Sequence, residues 1–243
     1  MNKFLMTTAI LAAIGASPAR ATLDVAFTNG TTTVTCADQT SCDLDGAAKN
    51  VLLINTVVGN FRIEGTFALS STGDLSTSNL TIFNLGPSTG TLRMVVGDTD
   101  FAFPVTSVRE SGSLTFNEGI GSSGTLSFFA DHANGQPGGS GLATPGQLLD
   151  AFTDFVTTAP DSFAGTHDSS FFANSLFSLS EAASLTMVGG SNITGFNEAI
   201  ETSSGIGSAI PEPKTWAMMA IGFAFLGFAG LRRRSRLSRF AAI

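Results

Sequence analysis

Residues 22–198 are interrupted at roughly ten-residue intervals by pairs that favour tight turns, a spacing that suits short antiparallel strands rather than long helices. The pairs are Asn29-Gly30, Asp45-Gly46, Gly59-Asn60, Gly73-Asp74, Gly86-Pro87, Asn134-Gly135 and Gly189-Gly190. Runs with strand character lie between them. Val51–Val58 is apolar and β-branched, and Phe61–Leu69 alternates, with Phe61, Ile63, Gly65, Phe67 and Leu69 on one face. The Gly59-Asn60 pair between these two runs predicts a hairpin. Further strands are expected over Leu80–Leu85, Thr91–Val96, Phe101–Val108, Ser113–Phe116, Thr125–Ala130, Phe171–Leu179, Leu185–Val188 and Ile193–Glu198. Asp131–Thr144 is rich in Gly and Pro and reads as a long loop. The spacing of Leu148, Leu149, Phe152, Phe155 and Val156 predicts a short helix within Pro145–Val156. The fold class implied is all-β, a β-sandwich of jelly-roll-like form over residues 22–198, with residues 199–210 as a flexible linker.

Charge separates this middle from the two ends. Residues 22–210 carry Lys49, Arg62, Arg93 and Arg109 against 18 acids, a net charge of −14. Phosphate binding needs clusters of Lys and Arg, so nucleic acid is excluded as a partner of this region. Ser and Thr supply 50 of its 189 residues. Tyr is absent from the chain and its one Trp is Trp216, so the aromatic platforms common at sugar sites are lacking.

The first 21 residues have the layout of a secretory signal peptide. Lys3 is the positive start, Phe4–Ala16 is apolar, Pro18 breaks the helix, and Ala19-Arg20-Ala21 is an A-x-A site with cleavage expected after Ala21. At the other end, Pro211-Glu212-Pro213 is stiff and non-helical. Trp216–Leu231 is then uncharged and apolar, roughly 24 Å long as a helix. Arg232, Arg233 and Arg234 follow, with Arg236 close behind. Trp216 suits the outer interface and the arginines the cytoplasmic one, which places residues 22–210 outside the cytoplasm. Residues 237–243 form the cytoplasmic tail.

Residues 211–236, with Pro-Glu-Pro, one membrane helix and a basic end, resemble the PEP-CTERM sorting signal of Gram-negative bacteria. The resemblance implies processing by an exosortase near Pro211–Lys214, transient anchoring in the inner membrane and transfer to the cell surface. It also implies a setting of exopolysaccharide and biofilm. Thr91–Phe103 and Phe177–Glu181 look like ectodomains that accompany this signal, taken to be β-sandwiches without assigned activity.

Several residues carry possible chemistry. Cys36 and Cys42 are the two cysteines, and export makes a disulfide the default expectation. Closing so small a loop stabilises by roughly 2 kcal/mol in the chain-entropy treatment. Gly119–Gly124 matches a dinucleotide fingerprint by letters, but Thr125–Phe129 after it reads as strand, so a turn is expected. His132 and His167, each beside an Asp, lack a nucleophile elbow and read as loop residues rather than parts of a Ser-His-Asp triad. Asp43/Asp45 and Asp98/Asp100 supply oxygens for Ca²⁺ without completing an EF-hand loop. The expected function is that of an exported, non-enzymatic structural or interaction protein without a cofactor. Signal peptidase and exosortase are its processing enzymes, and exopolysaccharide is its expected partner. The competing reading is a Ca²⁺- or carbohydrate-binding adhesive module, and a secreted hydrolase comes third.

Overall fold

A computed structural model describes residues 23–46, 48–69, 73–102, 104–139 and 141–204. The signal-peptide, sorting-motif and membrane-helix assignments on residues 1–21 and 211–243 lie outside the described residues. Twelve strands are present: β1 Asp24–Thr28, β2 Thr33–Ala37, β3 Val51–Val58, β4 Phe61–Leu69, β5 Leu75–Asn84 and β6 Gly90–Phe101. The second half comprises β7 Ser107–Glu118, β8 Ser123–Asp131, β9 Gln147–Phe155, β10 Asp161–Ser169, β11 Phe177–Met187 and β12 Asn192–Ser203. Among the described residues there is no helix.

The strands form two antiparallel six-stranded sheets. Sheet A runs β2-β1-β6-β11-β8-β9 and sheet B runs β10-β7-β12-β5-β4-β3. The last eight strands obey one rule. β8 pairs with β9, β7 with β10, β6 with β11 and β5 with β12. The chain is thus one long two-stranded ribbon, closed at the β8–β9 connection and wound so that successive pairs alternate between sheets, which is jelly-roll topology. The β1–β2 hairpin widens sheet A beyond β6, and the β3–β4 hairpin widens sheet B beyond β5.

Alternation along the strands decides which side chains fill the space between the sheets. Leu114 and Phe116 of β7, Leu126 and Phe128 of β8, Leu179 and Leu185 of β11, and Ile193, Phe196 and Ile200 of β12 are all buried there. A second, smaller apolar cluster lies on the other face of sheet A. Ala26, Val95, Ala182 and Phe129 gather there around Leu142, which belongs to the long loop after β8. That loop therefore folds back over the sheet.

The structure redraws several expected elements. β3 and β4 have the expected bounds, and Gly59 takes φ +60° in the hairpin between them. The segment expected to be helical is β9. Gly146 enters it at φ +86°, and Leu148 and Phe155 are exposed, so the apolar spacing reports an edge strand rather than one buried helical face. Phe101–Val108 is not a strand, because β6 ends at Phe101 and β7 starts at Ser107. Phe171–Leu179 and Leu185–Val188 are replaced by the single strand β11. β10 went unpredicted because its inward positions hold only Phe163 as a large apolar residue. β12 continues through Ser203, into the segment expected to be linker.

Candidate functional site

The outer face of sheet B carries a shallow trough of about 220 Å³. Its walls are Ser111 and Ser113 of β7, Ala164 and Thr166 of β10, and Asn197 and Ala199 of β12. Gly112, Gly165 and the main chain of Glu198 form its floor. The trough follows from strand parity. At the trough itself the outward positions of these three strands are Ser, Thr, Ala and Asn, so nothing large fills the face between them. Thr166 lies opposite Ser111, and Ala164 opposite Ser113. Asn197 Nδ2 donates to Ser113 Oγ at 3.3 Å, and Asn197 Oδ1 accepts the Asn79 amide at 3.1 Å. The same polar character continues beyond the trough, where Thr115 and Ser162 hydroxyls lie 3.2 Å apart and Asn117 Nδ2 donates to Thr194 Oγ1 at 2.7 Å. Arg109 and Asp168 flank one end, with Nε and Oδ1 4.0 Å apart and both side chains largely exposed. The arrangement offers hydroxyl and amide groups on a neutral surface.

A second cluster closes the side of the sandwich where the edge strands β9 and β10 meet. His167 lies directly opposite Glu110, whose carboxyl is fully buried. His167 Nδ1 is 3.5 Å from Asp150 Oδ2, 3.8 Å from Glu110 Oε2 and 3.2 Å from Ser169 Oγ. Ser169 Oγ also donates to Glu110 Oε2 at 3.2 Å. Burial raises the Glu110 carboxyl above the usual carboxylate range, against the hydrogen bond from Ser169 that lowers it. A catalytic triad needs one ring nitrogen for the nucleophile and the other for the acid. Here Ser169, Glu110 and Asp150 all crowd Nδ1, so the contacts do not make that relay. His132 is elsewhere, stacked on Phe171 with ring centroids 4.5 Å apart. His167 thus lies in a strand and not in the expected loop, and its neighbours come from β7, β9 and β10. Parity was the available signal, since Glu110 shares its inward register with Leu114 and Phe116.

The other expected residues have local roles. Cys36 and Cys42 are joined by a disulfide between β2 and the loop after it. In that loop Asp43 Oδ2 accepts the Gln39 amide at 3.2 Å, while Oδ1 accepts the amides of Asp45 and Leu53 at 3.0 and 3.1 Å. Asp98 is buried, with Oδ1 accepting the Thr99 amide at 2.6 Å. Its carboxyl is lifted to about 7, first by burial and then by the nearby acids Asp24, Asp100 and Asp38. Asp24 is itself lifted to about 6 by burial. Asp100 exchanges hydrogen bonds with Asn134, so the two acids of this pair face different partners. Among the described residues no group of three or more His, Cys, Asp or Glu is arranged to hold a metal ion. Gly119 and Gly121 take φ +118° and +92° in a turn that leads straight into β8, as the letters after the fingerprint indicated.

No family model matches the chain, and no curated protein matches it. Solved structures similar to it include TmCBM61 in complex with beta-1,4-galactotriose, at 8% identity and TM-score 0.35 over 60% of this chain and 90% of that one. Another is the C-terminal CBM6 of LamC, from Zobellia galactanivorans, at 12% identity and TM-score 0.27 over 63% and 100%. A third is the carbohydrate-binding module CBM6cm-2 of Cellvibrio mixtus lichenase 5A with cellotriose, at 12% identity and TM-score 0.24 over 54% and 89%. At these scores the likeness stops at the all-β plan, and no site residue is transferred from it.

Proposed function

We propose that this chain is an exported, non-enzymatic interaction protein whose sandwich binds polysaccharide through the outer face of sheet B. The trough walled by Ser111, Ser113, Thr166 and Asn197 carries the reading. A polysaccharide presents many neutral hydroxyls, and a neutral surface of hydroxyls and amides pairs with them without desolvating a charge. The acidic balance of residues 22–210 argues against an anionic partner, and the lack of Tyr and Trp there makes hydrogen bonding the mode of recognition rather than ring stacking. Contacts of this kind gain strength by repetition along a polymer. The two chain ends support the setting. Residues 1–21 have the layout for export, and residues 211–236 resemble a signal for exosortase sorting to the cell surface, where matrix polysaccharide is the available ligand.

Titration of the full-length protein with neutral polysaccharides, the producing cell's own exopolysaccharide included, tests the reading by calorimetry. Ser111→Ala combined with Thr166→Ala removes two outward hydroxyls without altering an inward side chain. Losing two neutral hydrogen bonds of about 0.5–1.5 kcal/mol each weakens binding about tenfold. Absence of heat with every polysaccharide, or unchanged affinity in the double variant, overturns it.

A further inference from the structure

The centre of the sandwich holds a polar group that surface binding does not use. Thr77 of β5 and Glu198 of β12 are direct cross-strand partners in sheet B. Glu181 of β11 enters from sheet A, in register with Val96 on one side and Phe128 on the other. Thr77 Oγ1 donates to Glu181 Oε2 at 2.8 Å, a hydrogen bond between the two sheets. Glu181 and Glu198 are 0% and 2% exposed, and their three remaining carboxyl oxygens are buried without a hydrogen-bond partner. The buried charged side chains among the described residues are all acids. Two others share the inward register, Asp98 of β6 and Glu110 of β7. Each stands two positions along its strand from the residue paired with a central glutamate, Val96 opposite Glu181 and Gly112 opposite Glu198. The inward positions of β5 and β8 nearby, Leu75, Leu80, Leu126 and Phe128, carry no charge.

Two carboxylates with no cation are not stable in such a place. Burial lifts Glu181 to about 8, and burial together with the charge of Glu181 lifts Glu198 well above its ordinary range. Both groups hold a proton at neutral pH, and the sheets close over a neutral pair. The strand that bears Glu198 is also one whose pairing is interrupted beside it. Against β5 the register of β12 shifts between Ile193 and Phe196 and again between Phe196 and Glu198, and against β7 it shifts between Thr194 and Asn197. A ladder broken on both sides just before the buried acid has fewer main-chain bonds to give up when that segment moves.

We propose that Glu181 and Glu198 form a proton-operated seam: β12 stays seated between β5 and β7 while both carboxyls carry a proton, and their ionisation frees its bulged segment so that both charges reach water. Asn197 and Ala199, which wall the trough, lie in that segment and move with it. The outer face of sheet B is therefore intact on the acid side of the transition and disrupted on the alkaline side. In the opened form the two carboxyls are solvated and titrate at their ordinary value, so opening sheds two protons. Between that value and the folded one, the population of the open form rises with pH by up to about a hundredfold per unit, tenfold for each proton. In the exported setting proposed above, the pH that matters is that of the surroundings. The seam does not depend on what the trough binds.

Amide exchange of the full-length protein between pH 5 and pH 8 tests it, each rate being divided by that of an unprotected amide at the same pH. The resulting opening constant for residues 194–199 is expected to rise by about ten- to a hundredfold per pH unit in the wild type. Glu181→Gln combined with Glu198→Gln removes that rise. Asp98 and Glu110 are unchanged in both proteins, so the difference between them isolates the central pair. Carbon-13 resonances of the glutamate carboxyls give a second reading on the wild type alone, whether or not the double variant folds. Glu181 and Glu198 are expected to be neutral at pH 6.5 and to ionise together as those amides open. An opening constant in the wild type that does not change with pH overturns the proposal, and so does an equal rise in the double variant. Ionised Glu181 and Glu198 at pH 6.5 in the folded protein overturn it as well.

Discussion

The carboxylate of Asp43 accepts the amide of Leu53 at 3.1 Å, tying the disulfide loop to the edge strand β3. The same side chain receives the amides of Gln39 and Asp45, so one buried acid satisfies three main-chain donors. The Asp43 oxygens considered as Ca²⁺ ligands are occupied in folding the loop. Asp43→Ala leaves those donors unpaired and costs about 2–3 kcal/mol, measured by urea denaturation. Asp43→Asn retains the acceptor at Oδ1 and recovers part of the loss. Chelator leaves the melting temperature of the wild-type protein unchanged.

Asp98 makes stability pH-dependent with a definite sign. Its carboxyl is held up to about 7 in the folded state against an ordinary value of 3.8. Below the ordinary value the group is protonated whether the chain is folded or not, and its contribution is fully present. As pH rises, the unfolded chain releases the proton first, so stability falls from about pH 4 until the folded group also ionises near 7. Asp98→Asn removes this dependence. The variant gains about 2–4 kcal/mol on the wild type between pH 4 and pH 8, read from paired denaturation curves. Equal slopes for the two proteins would refute the assignment.

Gly146 sets the entry to β9. Its φ is +86°, and a Cβ there would stand 2.1 Å from the Ala130 carbonyl oxygen and 2.6 Å from the Asp131 Cα. These neighbours are main chain at the end of β8 and cannot move aside cheaply. Gly146→Ala is therefore expected to destabilise by about 2 kcal/mol or more, through strain and lost β8–β9 pairing. Thermal melting measures the loss, and faster amide exchange in residues 147–155 locates it.

Removal of residues 211–243 tests the reading of the chain's end. The truncated protein, still exported through residues 1–21, is expected as a soluble product no longer bound to the membrane, with surface retention lost. Fractionation followed by immunoblotting separates the outcomes. Retention of the truncated protein at the surface would show that the anchor lies elsewhere.

The parts of the fold legible in sequence are those decided within a few residues. β3 and β4 were readable because β-branched runs and strict alternation flank a Gly-Asn turn. β9 misled because an edge strand exposes both of its faces in part, so Leu148, Leu149, Phe152 and Phe155 imitate helical spacing. β10 was invisible because its inward positions are mostly small or polar. Parity alone would have flagged Glu110, Glu181 and Glu198 as buried acids, since each lies in register with apolar neighbours on its own strand.

The order of residues determined the alternation, the turns, the acidic middle and the contrasting ends, because each depends on composition or on neighbours a few positions away. The winding of the ribbon did not follow from any local pattern. Antiparallel pairing sets β5 beside β12 and β6 beside β11, and sheet packing then brings Thr77 within a hydrogen bond of Glu181. The trough, the His167 cluster and the central glutamates are products of that long-range pairing. Main-chain hydrogen bonds are indifferent to sequence, so only the burial of the two inner faces together selects which strands meet.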